Sequence, residues 1–316
     1  MPSFSHDTSP FNLDTPLKEY VCGERTVYVK RDDLLNGTLD LPPWAKLEGI
    51  RRVLNSEGVF TDDNNRKQSY SVEKLTRNKP IIHLSVAVSY SGWALAYMGR
   101  ELGFDIKIAY PDTKDYPKKA LEKIESLGAE LIPMKPNILS IVTSSVNILA
   151  NKKGYQMMPY AFDHPVYTDY FKTRMQTLLE ENSDKNIKHL VVNAGSGVTP
   201  SGILQGFFGE RHFQLPPGDI KKAHLITTAS ESSIETKLKS WGVFYTKNGK
   251  HNHVTAIHET PHEFADDMDH VHTPFPCNGN WDKKAWVWLQ ENGCDLEGDV
   301  LFYNLGGKCA SHFWKT

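Results

Sequence analysis

No run of apolar residues in the sequence approaches the roughly 20 needed to cross a bilayer. Neither charge dominates, since 36 Lys and Arg face 38 Asp and Glu for a net charge of −2. The first absence excludes a helical membrane span. The second excludes a global basic field that would hold nucleic acid by charge alone, though a local basic groove stays open. Cysteine is scarce: Cys22, Cys277, Cys294 and Cys309 lie far apart with no Cys-x-x-Cys pair. That spacing argues against a disulfide framework and a cysteine zinc site, and it predicts free thiols. The opening MPSFSHDTSPFNLD lacks the charged-then-apolar pattern of a secretion signal, so a cytoplasmic protein is expected. There is no repeat of solenoid period and no low-complexity tract. What is present is 316 residues, 39% of them hydrophobic, enough for a large core and two domains.

Periodicity organises residues 81–134 most clearly. IIHLSVAV reads as a buried strand, SGWALAYMGREL as a helix closed by Gly103, and DIKIAYP as the next strand. YPKKALEKIESLG then gives a helix with Pro117 in its first turn and Gly128 past its end, and AELIPM gives another strand. This β-α-β-α-β rhythm belongs to a parallel sheet covered by helices. A second set follows: strand HLVVNAGSG, helix PSGILQGFF, strand AHLITTAS, helix SIETKLKSWG and strand DVLFYNLGG. The chain therefore reads as α/β, with two parallel-sheet domains carrying helices on both faces. Residues 61–78, polar throughout, read as an exposed connection.

Three segments carry chemistry. In LPPWAKLEGIRRVL the prolines predict a helix starting near Trp44 or Ala45. Lys46 then shares a stripe with Gly49, Ile50 and Val53, where a solvated lysine does not belong unless its stem lies along apolar surface. VVNAGSGVTPSG is a strand followed by a small-residue loop that opens a helix. Its backbone amides at Gly195, Ser196, Gly197, Val198 and Thr199 suit a phosphate. It lacks the Gly-Lys-Ser/Thr ending of a Walker loop, and Pro200 stands where a dinucleotide fingerprint wants its third glycine. VAVSYSGWALA presents Ser89, Tyr90 and Ser91 between the end of a strand and the start of a helix, the edge at which open α/β sheets bind ligands.

His258-Glu-Thr-Pro-His262 formally matches the HExxH zinc pattern, but Pro261 spoils the helical pairing that this chemistry needs. The alternative parse starts a helix at Pro261, with Thr260 as its cap and Glu263 completing a capping box, leaving His258 outside. No metal is expected.

The lysine, the serine loop, the phosphate loop and a strand-Gly-Gly element near the C-terminus occur in an order that resembles pyridoxal-phosphate enzymes of fold type II. These are the tryptophan synthase β-like group, which includes 1-aminocyclopropane-1-carboxylate deaminase, D-cysteine desulfhydrase and threonine dehydratase. TPLKEY and VYVKRDDL are similar to the opening strands of the deaminase and desulfhydrase branch, WAKLEGI to the lysine segment, NAGSGVTPSG to the phosphate cup and VSYSGWALA to the substrate-carboxylate loop. The resemblance implies pyridoxal 5'-phosphate as cofactor, Lys46 as its Schiff-base lysine, Gly195–Thr199 around the phosphate, and Ser89, Tyr90 and Ser91 at the substrate carboxylate.

The sequence departs from the group in three places. Pro43 replaces the usual residue three before the lysine, Trp93 stands where an asparagine is common, and Leu305 stands where Ser or Thr commonly faces the pyridine nitrogen, leaving Asn304 as the nearest polar candidate. PPWAKLEG and SYSGW look more like a divergent bacterial and bacteriophage branch, some members of which are associated with modified thymine in phage DNA. The resemblance implies a large cofactor-binding domain from 1–45 and 160–316, a smaller domain over 46–159, and a homodimer. It points to a lyase acting by elimination or deamination on a small-molecule amino acid. One alternative is a decarboxylase for an amino acid carried on a nucleobase, acting in the host cytoplasm if phage-encoded. The other is a non-catalytic phosphate- or nucleotide-binding protein.

Overall fold

The structure is a computed structural model that describes residues 15–23, 25–35, 42, 44–56, 75–86, 89–113, 116–135, 138–209, 221–243, 253–263 and 266–306. Most of the polar 61–78 connection, together with Gly307 and Cys309, lies outside these residues. The described residues form two compact units, one up to Ala45 and from Thr168 onward, the other from Lys46 to Tyr167.

The first unit is built on six strands: β1 (Leu17–Cys22), β2 (Arg25–Arg31), β7 (Ile187–Asn193), β8 (Lys221–Thr227), β9 (His253–Glu259) and β10 (Asp299–Asn304), in the order β1-β2-β10-β7-β8-β9. Only the β1–β2 hairpin is antiparallel. Val27, Val29, Val191, Ile226, Val300 and Phe302 pack against Trp286 and Leu289 of α8 (Asp282–Asn292). Residues of the opposite parity, among them Leu190, Val192, Leu225 and Leu301, are equally buried, so both faces of the sheet are covered. Helices α5 (Pro165–Glu181), α6 (Val198–Phe208) and α7 (Glu231–Ser240) belong to this set. Close approach fixes α6 against α5, because a Cβ on Gly202 would stand 2.3 Å from the Thr168 carbonyl oxygen.

The second unit is a four-stranded parallel sheet in the order β5 (Glu130–Met134), β4 (Ile106–Pro111), β3 (Ile81–Leu84), β6 (Gln156–Met157). Ile82, Leu84 and Ala109 meet Val142, Val146 and Ala150 of α4 (Leu139–Lys153). Helix α2 (Ser91–Leu102) ends at Gly103, which takes the left-handed conformation (φ 73°) that stops a helix at little steric cost. Helix α3 (Lys118–Ser126) follows β4, and α1 (Trp44–Asn55) opens at the expected residue.

One expectation is corrected. No helix begins at Pro261: residues 253–259 form β9, and Thr260 prolongs its pairing by donating to the Thr227 carbonyl at 2.8 Å. The alternation in HVTAIHE lets this segment add to the open edge of β8. Within residues 260–263, read as a cap and first turn, Pro261 and His262 form a bend. Helices α4, α5 and α8 were not foreseen.

Candidate active site

Lys46 sits in the first turn of α1, half-buried, with Ala45, Leu47, Gly49, Ile50 and Val53 buried around it. Its Nζ lies 6.0 Å from the centre of the Tyr90 ring, so the lysine and the serine loop meet within one unit. The buried Glu48 is held by Arg51 at 2.6 Å and Arg52 at 2.8 Å, which braces this turn of the helix.

In the serine loop, Tyr90 and Ser91 are buried and Ser89 half-buried. Ser89 Oγ accepts from the Ser91 amide at 3.2 Å and donates to Ser91 Oγ at 3.0 Å. Ser85, just beyond β3, accepts from the Gly92 amide at 3.2 Å and from the Tyr116 hydroxyl at 3.2 Å. Burial pushes the Tyr116 phenol up to about 12, so it stays a neutral donor.

The glycine loop leaves β7 and enters α6 through Gly197, whose φ of 82° disfavours a side chain. The Gly195, Ser196 and Gly197 amides find no acceptor among the described residues, while the Val198 amide turns back to Ser196 Oγ at 3.4 Å. A Cβ on Gly195 would stand 2.8 Å from the Trp281 ring, and one on Gly197 would stand 3.0 Å from the Lys237 stem. Unsatisfied amides at a helix N-terminus, with no side chain in the way, form a cradle for an anion.

Asn304 is fully buried at the end of β10. Its amide nitrogen donates at 2.8 Å to Asp33 Oδ1 and at 2.8 Å to the Pro276 carbonyl, and its Oδ1 has no partner among the described residues. Asp33 is in turn gripped by Arg31 through two bonds of 2.7 Å. Asn304 is thus tied into a polar network beneath the strand ends.

Sequence reasoning missed Asp282 and Trp281. Asp282 is a buried carboxylate in the first turn of α8 that accepts from the Gly306 amide at 2.7 Å. Asn193 at the end of β7 holds the Trp281 carbonyl at 3.0 Å, and the Trp281 amide donates to Asn278 Oδ1 at 3.0 Å. The turn residues of NGNWDKK were the available signal, since Asn and Gly before an acidic residue mark a helix start.

His258 belongs to a different arrangement. It lies on β9 in a ladder with His224 on β8 and His189 on β7, joined by nitrogen-to-nitrogen distances of 3.2 and 3.2 Å. His189 Nε2 meets the Glu297 carbonyl at 2.8 Å. A carbonyl only accepts, so His189 donates from Nε2, and neutral His224 and His258 rings with their hydrogens on Nε2 complete the ladder. Trp288 lies against His224 and His258, with ring centres 4.8 and 4.4 Å away. Burial, then His258, His189 and Lys222, lowers the His224 pKa to about 3, and burial also lowers those of His189 and His258. No group of three or more His, Cys, Asp or Glu among the described residues is arranged to hold a metal ion.

The family described as "Pyridoxal-phosphate dependent enzyme" matches residues 65–273, a span that leaves out Lys46 and Asn304. The chain is 24% identical over 304 residues to the "Glycyl-dTMP PLP-dependent decarboxylase" of Pseudomonas phage M6, covering 93% of this chain and 98% of that one. Among solved structures, an ACC deaminase homologue superposes with a TM-score of 0.66 at 16% identity, covering 96% of this chain and 93% of the other. O-ureido-L-serine synthase gives 0.61 at 16% identity, with 99% and 95% covered. Both share the fold type II architecture with this chain.

Proposed function

Because the chain belongs to the pyridoxal-phosphate dependent enzyme family, we propose that it is a decarboxylase, a carbon–carbon lyase, acting on an amino acid carried by a thymine nucleotide. One observation carries this reading: the likeness to the phage decarboxylase runs through 93% of this chain and 98% of that one. The described residues suit the cofactor. The unsatisfied amides of Gly195–Gly197, continued through Val198 and Thr199 into α6, would hold its phosphate. Lys46 would carry it covalently. A protonated ring nitrogen needs an acceptor, which Asn304 Oδ1, buried and without a partner among the described residues, would supply; the buried carboxylate of Asp282, which accepts from the Gly306 amide, is the other candidate.

Once bound, the cofactor supplies the electron withdrawal that weakens bonds to the substrate α-carbon. The protein chooses the bond. Ser89, Tyr90 and Ser91 would orient the substrate carboxylate, with the Ser91 hydroxyl hydrogen as the donor not spent inside the Ser89–Ser91 pair. Lys46 Nζ, beside Tyr90, would deliver the proton that replaces carbon dioxide on the α-carbon. In this reading the larger unit binds the cofactor phosphate and the smaller one the substrate carboxylate. The enzyme works as a homodimer in the cytoplasm of an infected host, and light scattering tests the dimer.

The second reading, elimination or deamination of a free amino acid, draws support from the hydroxyl-rich serine loop. Incubation of holoenzyme with glycyl-dTMP, and separately with free amino acids, separates the two. Carbon dioxide together with the matching amine is expected. Ammonia with a keto acid would overturn decarboxylation, and purified protein without the cofactor's visible absorbance would overturn both.

A further inference from the structure

Serine loops and glycine loops meet their helices in the same way, yet α2 has its first amides already occupied. The Gly92 amide is held by Ser85 and the Ser91 amide by Ser89. Ser85 is fully buried, and its own amide donates to the Ala109 carbonyl at 2.9 Å, which locks it to β4. Tyr116, 4% exposed, donates into the same Ser85 oxygen. The arrangement is tight enough to demand glycine at 92, where a Cβ would stand 2.7 Å from Ser85 Oγ and 3.2 Å from Ile108. Lys46 Nζ lies 6.0 Å from the centre of the ring of Tyr90, the residue immediately before the capped amides.

We propose that Ser85, steadied by Tyr116, is a specificity-determining positioning residue that withholds the Gly92 amide from the substrate carboxylate and so favours loss of that carboxylate over its retention. This rests on the reading of Ser89–Ser91 as the carboxylate loop. A carboxylate gripped by helix amides keeps its charge well stabilised in the ground state. Loss of carbon dioxide disperses that charge, so every amide bound to it stabilises the ground state more than the transition state. Ser85 takes one such amide out of play with a neutral acceptor. In the step itself the bond between the α-carbon and the carboxyl carbon breaks, its electron pair stays with the α-carbon, carbon dioxide leaves, and Lys46 supplies the proton.

The test compares a carboxylate with its decarboxylated partner on the holoenzyme: glycyl-dTMP against the amine it leaves, and glycine against methylamine, by calorimetry. Ser85→Ala should bind the acids about tenfold more tightly, the gain of one charge-assisted hydrogen bond, and should leave the amines unchanged while kcat for decarboxylation falls. Ser85→Cys, nearly isosteric and a weak acceptor, should do the same if Ser85→Ala folds poorly, and Tyr116→Phe should move the acid-to-amine ratio the same way by less. Amide exchange followed by NMR should show Gly92 protected in the wild type and exposed in the variants. Acid affinity that is unchanged or weaker in a folded variant, or an unprotected Gly92 amide in the wild type, would overturn the proposal. A wild type that binds glycyl-dTMP without releasing carbon dioxide sinks the decarboxylase reading while the affinity ratio still judges Ser85.

Discussion

The glycine loop before α6 and the serine loop before α2 share one plan, a parallel strand whose carboxyl end turns into a helix N-terminus, but they treat their amides in opposite ways. At α6 the amides of Gly195–Gly197 have no acceptor among the described residues, and glycine at 195 and 197 leaves out the Cβ atoms that would crowd Trp281 and Lys237. At α2 the amides of Ser91 and Gly92 are taken by serine hydroxyls. An open cradle suits an anion that stays for the life of the enzyme, whereas a capped one suits a carboxylate that must be held lightly. The same helix-dipole physics serves both, and nearby hydroxyls set how much of it the ligand receives.

The largest effect should come where neither loop can compensate. Lys46→Ala should abolish the covalent cofactor adduct seen by borohydride reduction and peptide mapping, and should cut turnover by about a thousandfold. Adduct at Lys30 or Lys308 in the wild type would show that the lysine has been assigned wrongly. Next, Gly197→Val should weaken cofactor binding by about 100-fold, the loss of roughly two hydrogen bonds to a charged group. The new side chain would crowd the Lys237 stem at a backbone conformation that disfavours it. Unchanged affinity with a collapsed melting temperature would make this loop structural and dissolve the contrast with α2.

How much of this contrast was legible in the sequence depends on how locally each part is encoded. The alternating strands, the Gly103 stop and the entry of α1 at Trp44 follow from short-range rules, and the structure has them. Both loops were visible because small residues between a strand and a helix are a local pattern. Their opposite amide states were not, since Tyr116 and Trp281 reach the loops only through the fold, and Ser85, seven residues from Gly92, meets its amide only once β3 and α2 are packed. Strand β9 was hidden for another reason: a histidine-rich segment drew attention to metal chemistry, while its strand alternation pairs with β8. The Asp33 clamp on Asn304 spans 271 positions and no local reading could anticipate it.

The two sheets should also part company in acid. His189, His224 and His258 are held neutral on β7, β8 and β9, the first of which leads to the glycine loop, while the serine-loop sheet holds His83 neutral, its pKa lowered to about 4 by burial. Folded pKa values below the unfolded value of about 6.5 mean that the unfolded chain binds more protons in acid. This stability is therefore fully present above that pH and is lost as pH falls toward the folded values. Each histidine adds a slope of up to about 1.4 kcal/mol per pH unit. Hydrogen exchange at pH 5 should therefore show β7, β8 and β9 losing protection before β3 and β4. Equal loss in both sheets would deny the ladder any special part.

The smallest effect is expected at Ser91, and its pattern matters more than its size. Ser91 Oγ accepts from Ser89, so its own hydrogen is the one the pair leaves for a ligand. A hydrogen bond to a charged group contributes roughly 1.5 kcal/mol, so Ser91→Ala should raise KM by about tenfold. Under decarboxylation the carboxylate sheds its charge as carbon dioxide forms, and the lost bond was weaker in the transition state than in the ground state. kcat should then hold steady or rise slightly, and kcat/KM should fall by less than KM rises. Elimination or deamination keeps the carboxylate charged from start to finish and uses it to fix the α-carbon geometry, so kcat would fall along with binding. Steady-state kinetics on this single variant therefore reads whether the serine loop was built to hold its anion or to let it go.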